Sequence, residues 1–263
     1  MIKLAITGAC GRMGLRLIAL ARQDAEFKIV AAIDKPETPH LSHDAGEVAG
    51  LGPIGLPITF DLRPRPDVLV DFSMPASTRH WLKVCRDRGI PMVIGTTGLK
   101  EKDHAAIDVA SAKIPVLQAP NTSLGVNLLL KIVAEVAEQL GDDYDVEIVE
   151  GHHRFKKDAP SGTAAALADA ILKATGKKSK SLVYGRHGAD EPRQRGQIGI
   201  HSLRLGDEVG KHTIYFAGLG ERLELGHVAT TRDTFALGAL LAAKWLTKQK
   251  AGRYSMADML ASG

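Results

Sequence analysis

The sequence predicts an α/β protein with a Rossmann-like parallel sheet in one domain and an open mixed sheet in a second, α+β domain. Two patterns predict this fold class. Over residues 2–119, short β-rich runs alternate with helical runs, which is typical of a parallel sheet with crossover helices. After residue 140, strand-like runs follow one another closely with glycine-rich turns between them, which favours a mixed or antiparallel sheet.

The first part of the chain contains apolar runs that predict buried strands, and helical spacing between them. We expect strands at residues 2–7, 28–34, 68–72, 92–97 and 116–119. We expect helices at residues 11–21, 75–88 and 99–112. Residues 40–57 interrupt this alternation with glycines among His, Ser and Pro residues, and they predict a long loop that moves.

The rest of the chain begins with a long helix and then becomes rich in strands. The helix is predicted at residues 121–140. Strands are predicted at residues 145–150, 198–205, 211–217 and 222–230, with one helix at 163–174 among them. The last two segments, residues 234–249 and 255–261, have helical spacing.

The composition excludes several classes of protein. Of the 263 residues, 44% are hydrophobic and 24% are charged, which argues against a disordered, collagenous or disulfide-scaffold protein. The net charge of +4 is dispersed, so we expect a small anionic ligand and no nucleic acid. No uncharged apolar run of about 18 residues predicts a membrane span, and we expect no signal peptide. Two cysteines outside any Cys-x-x-Cys pair, Cys10 and Cys85, fit free, inert thiols in the reducing cytoplasm.

A glycine-rich turn joins the first strand to the first helix. Gly8, Gly11 and Gly14 follow the spacing Gly-x-x-Gly-x-x-Gly, which is close to the dinucleotide fingerprint. Asp34 ends the next predicted strand 20 residues after Gly14, where an acid would accept hydrogen bonds from the adenosine ribose. A plain tight turn between strand and helix is the alternative interpretation.

Lys35 bears on the choice of cofactor. A carboxylate at the end of the second strand favours a free 2′-hydroxyl, whereas a cation favours a 2′-phosphate. Asp34 followed by Lys35 therefore predicts binding of both NADH and NADPH, unless Lys35 is only a solvated side chain.

Two further segments follow strands and are candidates for lining the nicotinamide end, because ligands bind at the carboxyl ends of strands in an open α/β sheet. They comprise Gly95, Thr96, Thr97 and Gly98, and Ala119, Pro120, Asn121 and Thr122. Helix capping by Thr97, Asn121 or Thr122 is an alternative that could coexist with this role.

The densest group of basic residues lies between a predicted strand and a predicted helix. Two His, one Arg and two Lys stand within residues 152–157 and lead into Asp-Ala-Pro-Ser-Gly-Thr at 158–163, which opens the helix. Such a run is ordinarily a solvated loop, but here it faces a helix N-terminus and suits a small polyanion held by the N–H groups of Gly162 and Thr163. We expect mutual repulsion to lower the pKa values of these His and Lys side chains.

A metal site is not expected at this cluster. His152 and His153 are adjacent on a strand and point to opposite faces, so they cannot easily bind one ion, and no cysteine stands beside them. The remaining histidines are interpreted as surface or capping residues: His40, His43, His80, His104, His187, His201, His212 and His227.

Over essentially its whole length the sequence resembles the 4-hydroxy-tetrahydrodipicolinate reductases, also called dihydrodipicolinate reductases. The most specific motif is Glu150-Gly-His-His-Arg-Phe-Lys156 with Asp158-Ala-Pro-Ser-Gly-Thr163. The less specific ones are the glycine turn and the segments at 70–73, 95–98, 119–121, 125–127, 198–204, 220–225 and 232–235.

The resemblance implies a dinucleotide-binding domain of residues 1–121 and 233–263 and a substrate-binding domain of residues 122–232 whose sheet makes a homotetramer. It implies that His152 is the acid/base residue, that Lys156 donates a proton, and that His153, Gly162 and Thr163 bind substrate carboxylates. It implies a cofactor site of Gly8, Ala9, Cys10, Gly11, Arg12, Met13, Asp34, Lys35, Gly95, Thr96, Thr97, Ala119, Pro120, Asn121 and Thr122.

The implied reaction is the NAD(P)H-dependent reduction of a cyclic dicarboxylate in diaminopimelate and lysine biosynthesis. The substrate loses water to give a conjugated imine, which accepts a hydride and a proton. Two alternatives remain open at this point: a non-catalytic NAD(P)-sensing protein, which would not need the His-His-x-x-Lys cluster, and a reductase of another imine or aldehyde. Oxidation of the cofactor on mixing with substrate made from pyruvate and aspartate semialdehyde distinguishes them.

Overall fold

The structure, a computed structural model, describes residues 1–190 and 192–262 and divides into two compact units. The first unit comprises Met1–Leu124 and Arg232–Gly263, and the second comprises Gly125–Thr231. Within the described residues, no helix is both long enough and apolar enough to span a membrane. Strands and helices are numbered below along the whole chain.

The first unit is built on a parallel seven-stranded sheet with the order β12-β6-β5-β4-β1-β2-β3. Its strands are β1 Ile2–Thr7, β2 Phe27–Ile33, β3 Ile58–Thr59, β4 Val68–Asp71, β5 Met92–Ile94, β6 Pro115–Gln118 and β12 Gly252–Tyr254. Its helices are α1 Arg12–Gln23, α2 Ala45–Val48, α3 Pro75–Arg88, α4 Glu101–Ser111, α7 Asp233–Leu246 and α8 Met256–Ala261.

Helices cover both faces of this sheet, and the strands are therefore apolar on both sides. In β1, Leu4 and Ile6 face a core that includes side chains of α1 and α7, whereas Ala5 faces a second core. That second core includes Trp81 of α3 and Ile107 of α4. The continuous apolar runs in the sequence thus reflect burial from two directions.

The second unit contains a five-stranded mixed sheet with the order β11-β10-β7-β9-β8. In it β10 is antiparallel to both β7 and β11, and β9 is parallel to β7 and β8. Its strands are β7 Asp145–His152, β8 Leu182–Tyr184, β9 Ile198–Arg204, β10 Gly210–Ala217 and β11 Arg222–Ala229, and its helices are α5 Leu124–Leu140 and α6 Gly162–Thr175.

Both helices of the second unit contribute to a single core on one face of its sheet. Ile148, Ile214 and Phe216 lie in that core together with Leu129 of α5 and Leu167 of α6. Side chains alternate between the faces of a strand, so the residues between these core positions point to the opposite face. Among the exposed apolar residues of this sheet are Leu203 of β9 and Val228 of β11.

The predicted fold class is confirmed, and the differences from the sequence-based elements are local. Strands β3, β8 and β12 were not predicted because each has only two or three residues, too few to show a periodicity. The strand predicted at 92–97 ends at Ile94, and the helix predicted at 121–140 begins at Leu124. Residues 95–97 and 121–123, which were predicted as strand and helix, therefore lie in loops that follow the carboxyl ends of β5 and β6.

The predicted long loop at residues 40–57 contains the short helix α2 and is organised by one acidic side chain. The carboxylate of Asp44 accepts hydrogen bonds from the backbone N–H groups of Gly46, Glu47, Ile54 and Leu56. These four donors hold the pKa of Asp44 below its usual value, the bond from Ile54 most of all. The loop thus has a defined internal structure.

A fully buried carboxylate, that of Asp71 at the end of β4, joins the carboxyl ends of three adjacent strands. It accepts hydrogen bonds from Thr7 Oγ1 at 2.7 Å, from Thr96 Oγ1 at 2.9 Å, and from Ser73 Oγ and Thr78 Oγ1 at 2.5 Å each. The register of the sheet makes this possible, because Asp71 pairs with Thr7 of β1 and with Ile94 of β5. The loops that follow β4 and β5 are thereby fixed against the glycine turn.

We expect Asp71→Asn to lower the free energy of unfolding by about 1–3 kcal/mol, because a single amide oxygen cannot accept from four hydroxyl groups in a buried site. Urea unfolding at neutral pH measures the change. Asp61→Asn is the matched control, since the Asp61 carboxylate has an exposed partner, Arg63, and its loss should cost little. Equal stability of Asp71→Asn and the unsubstituted protein would contradict the central role of this carboxylate.

Candidate active site

The glycine turn between β1 and α1 is tight enough to exclude side chains at two of its three glycines. Gly8 has φ +73°, and a Cβ on it would lie 2.5 Å from the carbonyl oxygen of Phe72. A Cβ on Gly14 would lie 2.1 Å from the carbonyl oxygen of Gly8. Packing within the chain therefore requires a tight turn here, as the alternative interpretation states. This requirement is compatible with a dinucleotide site at the same turn. Among the residues that the structure describes, no side chain caps the N-terminus of α1, where the dipole favours an anion.

Asp34 directly follows β2 and is bonded to the glycine turn. Its Oδ2 accepts a hydrogen bond from the backbone N–H of Cys10 at 2.7 Å, and its Oδ1 accepts one from that of Lys35 at 2.8 Å. Each carboxylate oxygen can accept a further hydrogen bond. The carboxylate therefore fixes the turn and can still accept from the hydroxyl groups of a ligand.

A cavity of about 1060 Å³ opens beside this turn in the first unit. Five residues of the predicted cofactor site line it: Gly8, Cys10, Gly11, Asp34 and Lys35. Gly98, which was a candidate for the nicotinamide end, lines it as well. Sequence reasoning missed other residues that also line it, which include Phe60, Arg79, His80, Trp81, Lys100 and Lys102. These residues belong to three segments of the chain, at positions 60, 79–81 and 100–102. No sequence pattern relates the three segments to one another.

The other predicted cofactor residues do not line this cavity. Thr96 is buried and bonded to Asp71, and Thr122 is buried and donates to the carbonyl of Phe235. Asn121 accepts a hydrogen bond from the backbone N–H of Ser123. The remaining members stand in the glycine turn and its helix or in the two loops after β5 and β6: Ala9, Arg12, Met13, Gly95, Thr97, Ala119 and Pro120.

The capping alternative for Thr97 is wrong, because the residue before the first turn of α4 is Lys100. Gly95 is required by packing, since a Cβ there would lie 2.2 Å from the ring of Phe72. The loop after β5 is therefore closely packed against the loop after β4.

The basic cluster of the second unit is organised by Glu150, which is fully buried in β7. Its Oε2 lies 2.5 Å from His152 Nδ1. Its Oε1 accepts from Arg204 Nη1 at 3.0 Å and from the backbone N–H of Ser161 at 3.3 Å. Burial by itself would raise the pKa of Glu150, but hydrogen bonds with Ser202, His152 and Arg204 outweigh burial and lower it. Glu150 is therefore a buried carboxylate within a network of donors.

His152 has a pKa below its ordinary value of 6.5, as the sequence analysis expected. The main cause is different, however. Burial of the imidazole lowers the pKa most, the Glu150 carboxylate opposes this, and the positive charges of Lys156 and Arg204 lower it further. Repulsion within the basic cluster is thus a secondary effect.

Lys156 is paired with an acidic residue of the same loop. Its Nζ lies 2.8 Å from Asp158 Oδ2, and this contact lowers the pKa of Asp158. His153 is half-buried, and its Nδ1 is buried without a hydrogen-bond partner among the described residues. The sequence analysis assigned no role to Asp158, although it stands in the motif that carried the resemblance.

The interpretation of His212 as a surface or capping residue is wrong. His212 is buried in β10, its Nε2 lies 3.1 Å from Ser161 Oγ, and its ring centroid lies 5.2 Å from that of His152. Burial, followed by the charge of His152, lowers the pKa of His212 to about 4. The alternation of His212, Ile214 and Phe216 along the strand is the signal that predicts its inward orientation.

Glu150, His152 and His212 place possible metal-ligand atoms within 4.8 Å of one another. In the sequence only His152 and His153 are adjacent, and His212 stands far along the chain from them. We do not assign a metal centre here, because the oxygens of Glu150 already accept from His152, Ser161 and Arg204. The guanidinium of Arg204 would also repel a cation.

The N-terminus of α6 completes the cluster. Ser161 precedes the helix, and its Oγ accepts a hydrogen bond from the backbone N–H of Ala164 at 3.1 Å. A Cβ on Gly162 would meet no described atom within 4 Å, so Gly162 is not required by packing within the chain. The first turn of α6 and the Lys and His side chains before it are suited to binding carboxylates.

The chain is similar to known proteins over nearly its whole length. A family model described as "Dihydrodipicolinate reductase, N-terminus" matches residues 2–122, and one described as "Dihydrodipicolinate reductase, C-terminus" matches residues 125–260. A 4-hydroxy-tetrahydrodipicolinate reductase of Alkalilimnicola ehrlichii is 47% identical over 262 residues, covering 98% of each chain. One of Acinetobacter baumannii is 44% identical and covers 98% of this chain and 96% of the relative.

A solved structure is similar over the same length. It is the dipicolinate-bound dihydrodipicolinate reductase from Paenisporosarcina sp. TG-14, with a TM-score of 0.78 and 25% sequence identity. The alignment covers 98% of this chain and 99% of that one.

We expect Cys10 to react slowly with iodoacetamide near neutral pH and faster as the pH rises. Burial, and to a lesser degree the Asp34 charge, raise the pKa of Cys10, so little thiolate is present at neutral pH. Mass spectrometry after timed labelling measures the rate. NADH or NADPH should slow it further, because Cys10 lines the cavity.

Cys10→Ser is the control for this labelling. The remaining thiol, Cys85, is fully buried and should not react in the folded protein. Labelling of Cys10 at the rate of an unhindered cysteine peptide would contradict the expected environment.

Proposed function

Because the chain belongs to the dihydrodipicolinate reductase family, we propose how its two units bind cofactor and substrate. The family reduces 4-hydroxy-tetrahydrodipicolinate to tetrahydrodipicolinate in diaminopimelate and lysine biosynthesis. The relatives at 44–47% identity are named 4-hydroxy-tetrahydrodipicolinate reductase. The protein is accordingly an oxidoreductase of this reaction that uses a pyridine nucleotide. The resemblance stated from the sequence is confirmed.

One observation supports the catalytic assignment most directly. A buried, ionised carboxylate, Glu150, contacts His152 at the end of β7, and the loop from His152 leads through Lys156 to the N-terminus of α6. A solvated basic loop would not need a fully buried acid beneath it. A non-catalytic sensor on the same scaffold would have no use for this arrangement.

The first unit fits a dinucleotide. The glycine turn leaves no room for a Cβ at Gly8 or Gly14, and the uncapped N-terminus of α1 suits a pyrophosphate. We assign the pyrophosphate to the turn, from Gly8 through Met13, and the adenosine ribose to Asp34. A bound nicotinamide dinucleotide supplies the hydride for the reduction.

Substrate binding is proposed for the second unit. The backbone N–H groups of Gly162 and Thr163 at the start of α6 would hold one carboxylate, and His153 would contribute to the binding of the dicarboxylate. The open space beside Gly162 supports this role. These contacts orient the substrate in the ground state and the transition state alike.

Lys156 is proposed as the proton donor that balances the added hydride. Its ammonium group carries the proton, and its partner Asp158 is exposed, so the pair can open when substrate binds. His152 assists as the acid/base residue next to it. Reduction of the conjugated imine then consumes one hydride and one proton in total.

The choice between NADH and NADPH depends on the cavity of the first unit. Asp34 favours the free 2′-hydroxyl of NADH, whereas Lys35, with Arg79, Lys100 and Lys102 in the same cavity, favours a 2′-phosphate. We propose that both cofactors bind.

We also propose that the protein is a cytoplasmic homotetramer assembled through the sheet of the second unit. The face opposite to the helices carries exposed apolar side chains such as Leu203 and Val228, whose burial would stabilise an interface. Two free cysteines, Cys10 and Cys85, are consistent with a reducing compartment.

We expect the protein to oxidise NADH or NADPH when it is mixed with substrate made in situ from pyruvate and aspartate semialdehyde. His152→Gln and Lys156→Ala should lower kcat by roughly 10²–10⁴-fold, the usual contribution of general acid–base catalysis. Gly162→Ala should mainly raise KM, since a methyl group there enters the proposed carboxylate site without clashing within the chain.

Steady-state kinetics decides between these roles. Absence of cofactor oxidation by the unsubstituted protein would overturn the proposed function. If Lys156→Ala kept full kcat and raised only KM, Lys156 would be a carboxylate ligand and the proton-donor assignment would be wrong.

Lys35→Ala should weaken NADPH binding more than NADH binding, by about 1 kcal/mol for an exposed charge contact to phosphate. Titration calorimetry with both cofactors measures the difference. Lys28→Ala is the control, because Lys28 is an exposed residue of β2 that does not line the cavity. Equal losses for the two cofactors in Lys35→Ala would exclude a contact with the 2′-phosphate.

A further inference from the structure

Glu150 has no assigned role in the reaction, yet among the described residues of the second unit it is a charged group with no exposed surface. Its side chain is completely buried, and the strands on both sides of β7 contribute its neighbours. In the register of the sheet Glu150 pairs with Ser202 of β9 and with His212 of β10. A buried carboxylate costs free energy unless it is paired and hydrogen-bonded, so its presence needs a reason.

The contact with His152 has a definite chemical consequence. An ionised carboxylate only accepts hydrogen bonds, so the imidazole nitrogen that faces it at 2.5 Å, Nδ1, must carry the hydrogen. In the neutral ring the second nitrogen, Nε2, then has a lone pair and no hydrogen. The tautomer of His152 is therefore determined by Glu150.

The carboxylate cannot turn away from His152 because its other oxygen is fixed. Glu150 Oε1 accepts from the backbone N–H of Ser161 and from Arg204 Nη1, and Arg204 also donates to the carbonyl of Asp158. These bonds tie the orientation of His152 to the loop that precedes α6. The same loop contains Lys156 and leads to Gly162.

The ring of His152 is also confined from the side of β10. His212 lies edge-on to it, and a Cβ on Gly210 would come within 3.2 Å of His152 Nε2. Burial keeps His212 neutral, so it adds no charge against a protonated His152. The charged groups that face His152 are therefore Glu150, Lys156 and Arg204.

We propose that Glu150 is a positioning residue for the reduction, which holds His152 in the Nδ1–H tautomer and presents Nε2 as the nitrogen that exchanges a proton. The proposal rests on the role of His152 given above. Glu150 itself does not touch the substrate. It sets which nitrogen of His152 is available and how readily that nitrogen takes up a proton.

The direct test is the tautomer of His152 in the unsubstituted full-length protein. Histidine-selective ¹⁵N labelling with long-range ¹H–¹⁵N correlation distinguishes the two ring nitrogens, and the spectrum of His152→Gln assigns the signal. We expect the neutral Nδ1–H form. A neutral Nε2–H form would overturn the proposal, and this measurement does not depend on whether any Glu150 variant folds.

The second test compares Glu150→Gln with Glu150→Asp. Loss of the carboxylate removes the charge of Glu150 and weakens its hydrogen bond, both of which raise the pKa of His152, so the titration midpoint of His152 should fall in Glu150→Gln. We expect kcat to fall by roughly 10–10²-fold with KM nearly unchanged. Glu150→Asp keeps the negative charge, so it should restore part of the titration midpoint of His152 and part of kcat.

Glu147→Gln is the matched control, since Glu147 lies in the same strand and binds Arg186, Arg193 and His201 instead of His152. It should leave the titration of His152 unchanged. If Glu150→Gln lost thermal stability but kept the midpoint and the kcat of the unsubstituted protein, the role of Glu150 would be only structural. The proposed function fails on a different result, the absence of cofactor oxidation by the unsubstituted enzyme.

Discussion

A buried carboxylate at the end of β4 holds the edge of the sheet at which the nucleotide site is proposed. Asp71 binds four hydroxyl groups from the ends of β1, β4 and β5 and from α3. Such a group is tolerated in an apolar interior only when donors surround it, so the donors and the acid must keep their positions together. The loop after β4, which contacts the glycine turn, is fixed by this requirement.

The second unit uses the same device for its proposed chemistry. Glu150 lies near the end of β7, which is the middle strand of its sheet as β4 is the middle strand of the other. It draws together Arg204 of β9, His152 of β7 and the loop before α6. In both units, therefore, a buried acid at the carboxyl end of a central strand connects the segments around it by hydrogen bonds, and these segments carry the proposed function.

Burial also divides the histidines of the second unit by function. Burial lowers the pKa of His152 most, the Glu150 carboxylate opposes this, and the charges of Lys156 and Arg204 lower it further. Burial lowers the pKa of His212 most and the charge of His152 lowers it further, so that His212 stays neutral with a pKa of about 4. A pair of adjacent rings can thus comprise one titrating group and one neutral packing partner, because Glu150 forms a direct hydrogen bond with His152 and acts on His212 only through its charge.

Patterns along the chain were enough to predict the fold class, the glycine turn with Asp34, the basic cluster from His152 to Thr163 and the family, because each depends on residues that are close together in the sequence. Only the tertiary structure brought Arg79, Lys100 and Trp81 into the cavity with Lys35, and showed that Glu150, Arg204 and His212 surround His152. The physical reason is strand register. Which residues of β9 and β10 meet Glu150 of β7 depends on how the strands align, and a shift by one residue would turn each of them to the other face. Local spacing in a sequence does not contain that alignment.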